Sequence, residues 1–102
     1  MINPPLDITE KVFLAQVREL SRYLGYLTYH THDSRRSEPG FPDLVLIKGG
    51  RVMFAELKTE KGKPTSAQLK WLRNLRDAGC ETHLWRPSHW NAIVDTLRGE
   101  RP

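Results

Sequence analysis

Apolar positions along the first part of the chain recur every three or four residues. This spacing predicts an amphipathic helix over residues 8–24, with one apolar side formed by Phe13, Val17, Leu20 and Leu24. Asp7 and Glu10 have the spacing of a capping box at its start. Gly25 lies where a left-handed glycine commonly ends a helix.

The rest of the chain alternates between extended and helical patterns. Runs of β-branched and aromatic residues predict strands over 26–31, 43–48, 51–58 and 81–86. The sequence Thr65-x-x-Gln68 predicts the capped start of a second helix, and a short third helix follows Pro87-Ser88. The resulting order, α-β-β-β-α-β-α, indicates an α/β fold with a mixed sheet flanked by helices.

Length and composition narrow the class of protein. The chain has 102 residues, which predicts a single domain over 1–102 with a core of about 8–98 and frayed termini. Its 16 lysines and arginines against 12 acidic residues give a net charge of +4, a weak indication of nucleic-acid binding. One cysteine, no long apolar run and no signal-like start predict an intracellular, cytoplasmic protein without a membrane segment.

The second and third predicted strands are joined only by Gly49-Gly50, a strong hairpin signal. A turn at these glycines pairs residues whose numbers sum to 99, so Asp43 lies opposite Glu56, and Lys58 points the same way as Glu56. Both faces of this hairpin are apolar, which predicts strands covered on each side.

Two opposed carboxylates repel each other, and a divalent cation would remove that repulsion. Oxygen ligands favour Mg²⁺ or Mn²⁺ over zinc. The alternative is an ordinary strand end at which Asp43 pairs with a nearby arginine.

A longer pattern extends the hairpin signal. Gly40-Phe41-Pro42-Asp43, then Glu56-Leu57-Lys58, resembles the PD-(D/E)xK nuclease signature. The wider pattern resembles the VRR-NUC family of that superfamily, through Phe54 to Glu60, Gly62, Gln68, Trp71-Leu72, Leu75, Gly79 and Trp85-Arg86-Pro87. The resemblance implies a restriction-endonuclease-like core and metal-dependent hydrolysis of phosphodiesters in DNA.

The resemblance also implies roles for single residues. Asp43 and Glu56 match metal-ligand positions, the main-chain carbonyl of Leu57 would be a further ligand, and Lys58 would orient the attacking water. Glu10 matches an acidic residue of the first helix that adds a metal contact, unless it only closes the capping box with Asp7.

Other polar side chains lie near the predicted site. Gln68 either positions water or phosphate as a catalytic residue or only caps its own helix. Two loops flank the sheet end that carries Asp43 and Lys58, and their cations are predicted to hold DNA phosphates: Arg35, Arg36, Lys61 and Lys63. The alternative for each of these four cations is a solvated surface charge. His30 is a further candidate DNA contact, and its alternative role is to cap a strand.

These observations predict a Mg²⁺- or Mn²⁺-dependent DNA endonuclease selective for branched DNA such as four-way junctions or flaps. The alternative is a non-catalytic DNA-binding or assembly module with a nuclease-like fold. The resemblance to small stand-alone VRR-NUC proteins implies a homodimer. It also implies that the protein works in a bacterial host or a phage-infected cell. The dimer contact is predicted on the helix face of Trp90, Ile93, Val94 and Leu97, or at Trp71 and Trp85.

Overall fold

The computed structural model describes residues 3–31 and 38–99. The elements in this part of the chain are α1 (Glu10–Tyr23), β1 (Leu27–His30), β2 (Leu44–Lys48), β3 (Arg51–Leu57), α2 (Ser66–Asp77), β4 (Glu81–Trp85) and α3 (Trp90–Arg98). A 3-10 turn at Pro87–His89 joins β4 to α3. The predicted α/β order is confirmed.

The strands form a mixed sheet in the order β1-β2-β3-β4. β1, β2 and β3 are antiparallel neighbours, and β4 runs parallel to β3 after the α2 crossover. The predicted hairpin register is confirmed, since Val45 pairs with Phe54 and Lys48 with Arg51. Gly49 has a positive φ of 59°, which a glycine adopts without strain in the tight turn.

The start of α1 differs from the prediction. Thr9, not Asp7, is the N-cap, and its hydroxyl accepts a hydrogen bond from the Val12 amide at 3.2 Å. Ile8 and Phe13 are both buried in the core on either side of this cap, an arrangement that fixes how the chain enters the helix. The predicted capping box of Asp7 and Glu10 is therefore wrong, and the Glu10 side chain is not used to cap α1.

One face of the sheet carries the core. Leu44, Leu46, Met53, Ala55 and Leu57 have no exposed surface, and they pack with apolar residues of α1 and α3. The predicted core side of α1 is confirmed for Phe13, Val17 and Leu20.

The opposite face is covered less than predicted. Ile47 lies on this face between its strand partners Leu27 and Val52. Four apolar or aromatic side chains of this face remain exposed: Leu27 by 70%, Tyr29 by 59%, Ile47 by 39% and Val52 by 44%. α2 lies beside β4, and the Phe41 ring contacts both Phe54 and Trp71, with ring centroids 6.3 Å and 5.1 Å apart. We call Leu27, Tyr29, Ile47 and Val52 the open sheet face. The predicted coverage of both hairpin faces is wrong at Ile47 and Val52.

Most residues of the predicted dimer surfaces belong to the core of the chain itself. Trp90, Ile93 and Leu97 are at most 3% exposed, and Trp85 is 4% exposed, because all four belong to the core. The predicted contact is therefore wrong for these four residues. Val94 and Trp71 are only partly buried, and a contact at Trp71 stays a prediction. None of the described helices is long and apolar enough to cross a membrane.

Candidate active site

The ends of β2 and β3 bring the predicted acidic residues together. Asp43 immediately precedes β2, and one of its carboxylate oxygens accepts a hydrogen bond from the Leu57 amide at 2.9 Å. Its own carbonyl accepts from the Thr31 amide at 3.1 Å. These two bonds fix Asp43 between β1 and β3, so the side chain has a defined place beside Glu56.

Glu56 is the most unusual group in this cluster. Glu56 is fully buried, and neither of its carboxylate oxygens has a hydrogen-bond donor among the described residues. Burial, followed by the nearby Asp43 carboxylate, raises the pKa of Glu56 from 4.5 to about 8. At neutral pH the metal-free side chain is therefore largely protonated, and the proton can bridge the Glu56 and Asp43 carboxylates.

Glu10 reaches the same place from α1. One oxygen each of Glu10, Asp43 and Glu56 lies within 4.8 Å of the other two, a spacing that one metal ion can span. Burial raises the pKa of Glu10; the positive charge of Lys58 opposes this, and Asp43 adds to it. Because Thr9 caps the helix, Glu10 belongs to the cluster rather than to a capping box.

Lys58 is the cation beside these carboxylates. Its ammonium nitrogen lies 3.6 Å from a Glu56 oxygen, and its side chain is only 12% exposed. The Lys58 amide donates to the Trp85 carbonyl at 3.0 Å, which continues the β3–β4 pairing past the end of β3. The ladder thereby fixes the backbone from which Lys58 extends.

The carboxylate cluster fits a hard divalent cation. Three carboxylates offer oxygen ligands, the kind that Mg²⁺ and Mn²⁺ prefer, and the Leu57 carbonyl stays a predicted further ligand. The decisive observation is that neither Glu56 oxygen has a hydrogen-bond donor among the described residues, because a buried carboxylate without hydrogen bonds is costly even with Lys58 at 3.6 Å. The alternative for Asp43 was an ion pair with an arginine. Among the described residues Asp43 has no arginine partner, and one of its carboxylate oxygens accepts a hydrogen bond from the Leu57 amide.

Gln68 takes the capping role in this structure. Its side-chain oxygen accepts from the Thr65 amide at 2.8 Å, and the Gln68 amide donates to the Thr65 hydroxyl at 3.1 Å. Its catalytic role stays a prediction.

The predicted DNA contacts are only partly within the described residues. Arg35 and Arg36 lie outside them. Lys61 and Lys63 are exposed on the segment that follows Lys58. His30 ends β1 and pairs with Leu44, the residue after Asp43, and so lies next to the site's edge.

Gly40 has a structural role that the motif alone did not explain. It has a φ of +89°, and a Cβ atom there would lie 2.4 Å from the Ala67 carbonyl carbon and 2.7 Å from the Gln68 amide nitrogen. The backbone before Asp43 therefore packs directly on the first turn of α2. The only sequence signal for this contact is the glycine itself.

Comparisons with known proteins agree with this geometry. The family model described as VRR-NUC domain matches residues 8–87. A solved structure named "VRR_NUC domain" has a TM-score of 0.70 and 25% identity, with 84% of this chain and 94% of that chain covered. Another, named "VRR_NUC domain protein", has a TM-score of 0.71 and 16% identity, with 89% and 88% covered. The comparison with curated proteins gives no match.

The mixed sheet with an acidic cluster at one end defines a small α/β domain of nuclease fold. Since the family model spans most of its length, the chain belongs to the VRR-NUC domain family. The family places it among DNA-processing domains of the nuclease superfamily.

Proposed function

We propose that this protein is a DNA endonuclease that hydrolyses phosphodiester bonds with Mg²⁺ or Mn²⁺. The observation that carries the proposal is the buried Glu56 carboxylate, which lacks a donor and lies beside Asp43, Glu10 and Lys58. Asp43, Glu56, Glu10 and the Leu57 carbonyl would hold the cation. When bound, such a cation lowers the pKa of water and polarises a phosphoryl oxygen.

Lys58 has the chemistry for the remaining task in the site. Its ammonium carries three N–H donors and no acceptor, so it can orient an attacking water and stabilise negative charge that develops on the phosphate. Its position 3.6 Å from Glu56 keeps this charge beside the ligand set. The side chain is mostly shielded, so its electrostatic effect is screened less by water than that of an exposed lysine.

Incubation of labelled DNA with the purified protein in Mg²⁺, Mn²⁺ or EDTA tests this function. We expect cleavage in either metal and none in EDTA. Lys58→Met should abolish cleavage but keep metal-dependent DNA binding, because it removes the ammonium and keeps the aliphatic stem. Metal-dependent DNA binding by the wild-type protein without any cleavage would instead favour the non-catalytic module.

We further propose that two copies associate through the open sheet face. The four side chains of this face are uncharged and expose on the order of 400 Å² together, about half of what one partner contributes to a standard interface. A neutral apolar surface is poorly suited to DNA phosphates, whereas two such surfaces can meet without repulsion in a chain of net charge +4.

Light scattering at micromolar concentration tests the dimer. Tyr29→Glu, on the open sheet face, should shift the mass towards the single-chain 11.8 kDa. Tyr23→Glu is the matched control, because Tyr23 is 80% exposed on α1 and outside that face. A wild-type protein that is monomeric, or a dimer that resists Tyr29→Glu, would contradict this interface.

Selectivity for branched DNA is the last part of the proposal. A two-fold dimer presents two sites related by symmetry, which matches a four-way junction with its own two-fold symmetry. We expect faster cleavage of a junction than of linear duplex of the same sequence. Equal rates on the two substrates would contradict the selectivity but leave the nuclease activity in place.

A further inference from the structure

Arg86 makes an unusual set of contacts directly after β4. One nitrogen of its guanidinium donates to three main-chain carbonyls, those of Thr59 at 2.7 Å, Glu60 at 3.2 Å and Gly62 at 2.7 Å. All three carbonyls belong to the segment that follows Lys58. The segment therefore wraps around the end of the Arg86 side chain.

The same segment is closed by a second set of bonds. The Gly62 amide donates to the carbonyl and the hydroxyl of Thr59, at 3.2 Å and 3.1 Å. A Cβ atom at Gly62 would lie 2.8 Å from the Thr59 hydroxyl, so the turn is tight at this point. Glu60 also binds the segment after Arg86, because its carboxylate accepts a hydrogen bond from the Ser88 amide at 3.1 Å.

The position of this turn connects Arg86 with the proposed catalytic lysine. Lys58 is joined to Trp85 by a backbone hydrogen bond, so Lys58 and Arg86 leave neighbouring strands side by side. Upstream of Lys58 the β3–β4 ladder fixes the chain. Downstream, the contacts to Arg86 fix it, and the exposed Lys61 lies within the segment they hold.

We infer that Arg86 is a positioning residue: it holds the turn 59–62 and thereby fixes the direction of Lys58 and the presentation of Lys61. This inference rests on the proposed nuclease function for its effect on cleavage. Its structural part does not depend on that function. Arg86 acts through the turn and is not itself expected to touch DNA.

Limited proteolysis tests the structural part without any activity. Trypsin cuts after an exposed lysine in a mobile segment, and Lys61 is suited to this because Pro64 protects the bond after Lys63. Arg86→Met should raise the rate of cutting after Lys61 at least about tenfold, because loss of three hydrogen bonds frees the turn. Arg76→Met is the matched control, since Arg76 is exposed on α2 and pairs only with Asp77 among the contacts described.

Single-turnover cleavage at saturating protein tests the catalytic part. We expect Arg86→Met to slow the chemical step about tenfold or more, since small errors in placing a reacting group are costly. Arg86→Lys should recover part of the rate, because its three N–H donors can meet carbonyls that converge on one nitrogen.

The outcomes separate this inference from the proposed function. A wild-type protein that never cleaves DNA contradicts the nuclease function, while the proteolysis result still decides the role of Arg86. Wild-type proteolysis and cleavage rates in Arg86→Met would overturn the inference. If Arg86→Met does not fold, the same comparisons are made with Arg86→Lys, which should show the same changes to a smaller degree.

Discussion

Replacing Asp43 with asparagine should stabilise the metal-free protein at alkaline pH, although it removes a proposed metal ligand. Asparagine keeps an oxygen that can accept from the Leu57 amide, so the bond at 2.9 Å can persist. The amide group carries no charge and can also donate to the Glu56 carboxylate. Both changes favour the ionised form of Glu56, which has no donor in the native site.

The size of the effect follows from the raised pKa of Glu56. A native pKa of about 8 against an ordinary 4.5 means that the folded protein holds a proton that the unfolded chain releases. Stability contributed by this group therefore falls as the pH rises from about 4.5 to about 8, by about 4 to 5 kcal/mol in total. Burial is the largest cause of the raised Glu56 pKa, and the Asp43 charge is the second. Removal of that charge should therefore recover about 1 to 2 kcal/mol of the free energy of unfolding that is lost at high pH.

Thermal melts in EDTA at pH 5 and pH 8.5 measure this recovery. At pH 8.5 we expect Asp43→Asn to raise the Tm by about 5 to 10 °C, and at pH 5 the gain should nearly disappear because Glu56 is protonated. Asp77→Asn is the control; Asp77 is 71% exposed, and its replacement should change stability by less than about 0.5 kcal/mol at either pH. A Tm of Asp43→Asn below that of the wild-type protein at pH 8.5, or the same gain in Tm at pH 5 and pH 8.5, would refute the repulsion between the Asp43 and Glu56 carboxylates.

Three further predictions concern other parts of the site. Mn²⁺ should raise the Tm of the wild-type protein at pH 8.5 and have much less effect on Asp43→Asn, as thermal melts with and without the ion will show. Lys61→Ala and Lys63→Ala should each lower the log–log salt slope of duplex binding by roughly 0.9, measured by anisotropy; an unchanged slope would place the DNA elsewhere. Gly40→Ala should destabilise the fold by about 2 kcal/mol or more in denaturant titrations, because its Cβ would meet the α2 backbone at 2.4 Å; wild-type stability would show that this packing is not needed.

Much of the sheet geometry could be predicted because short-range signals determine it. The Gly49-Gly50 turn fixes the register of β2 against β3, and with it the approach of Asp43 to Glu56. The capped start of α2 at Thr65 was predictable for the same reason, since both bonding groups lie within four residues.

Other features depend on contacts between distant segments and could not be predicted. Asp7 and Thr9 are both good caps, and burial of Ile8 accompanies the choice of Thr9, which leaves Glu10 for the acidic cluster. The apolar alternation of the hairpin did not show that Ile47 and nearby residues lie on an open face, because that depends on where α2 docks. The three carbonyls bound by Arg86 likewise come from residues more than twenty positions away.

The central claim is that the carboxylates of Glu10, Asp43 and Glu56 form a metal-dependent nuclease site together with Lys58. Its most direct measurement is cleavage of one labelled four-way junction by wild-type protein and by Lys58→Met, each with Mn²⁺ and with EDTA. We predict product only for wild-type protein with Mn²⁺, with both proteins folded and both bound to the junction. Equal cleavage by Lys58→Met, or cleavage by wild-type protein in EDTA, would contradict the claim.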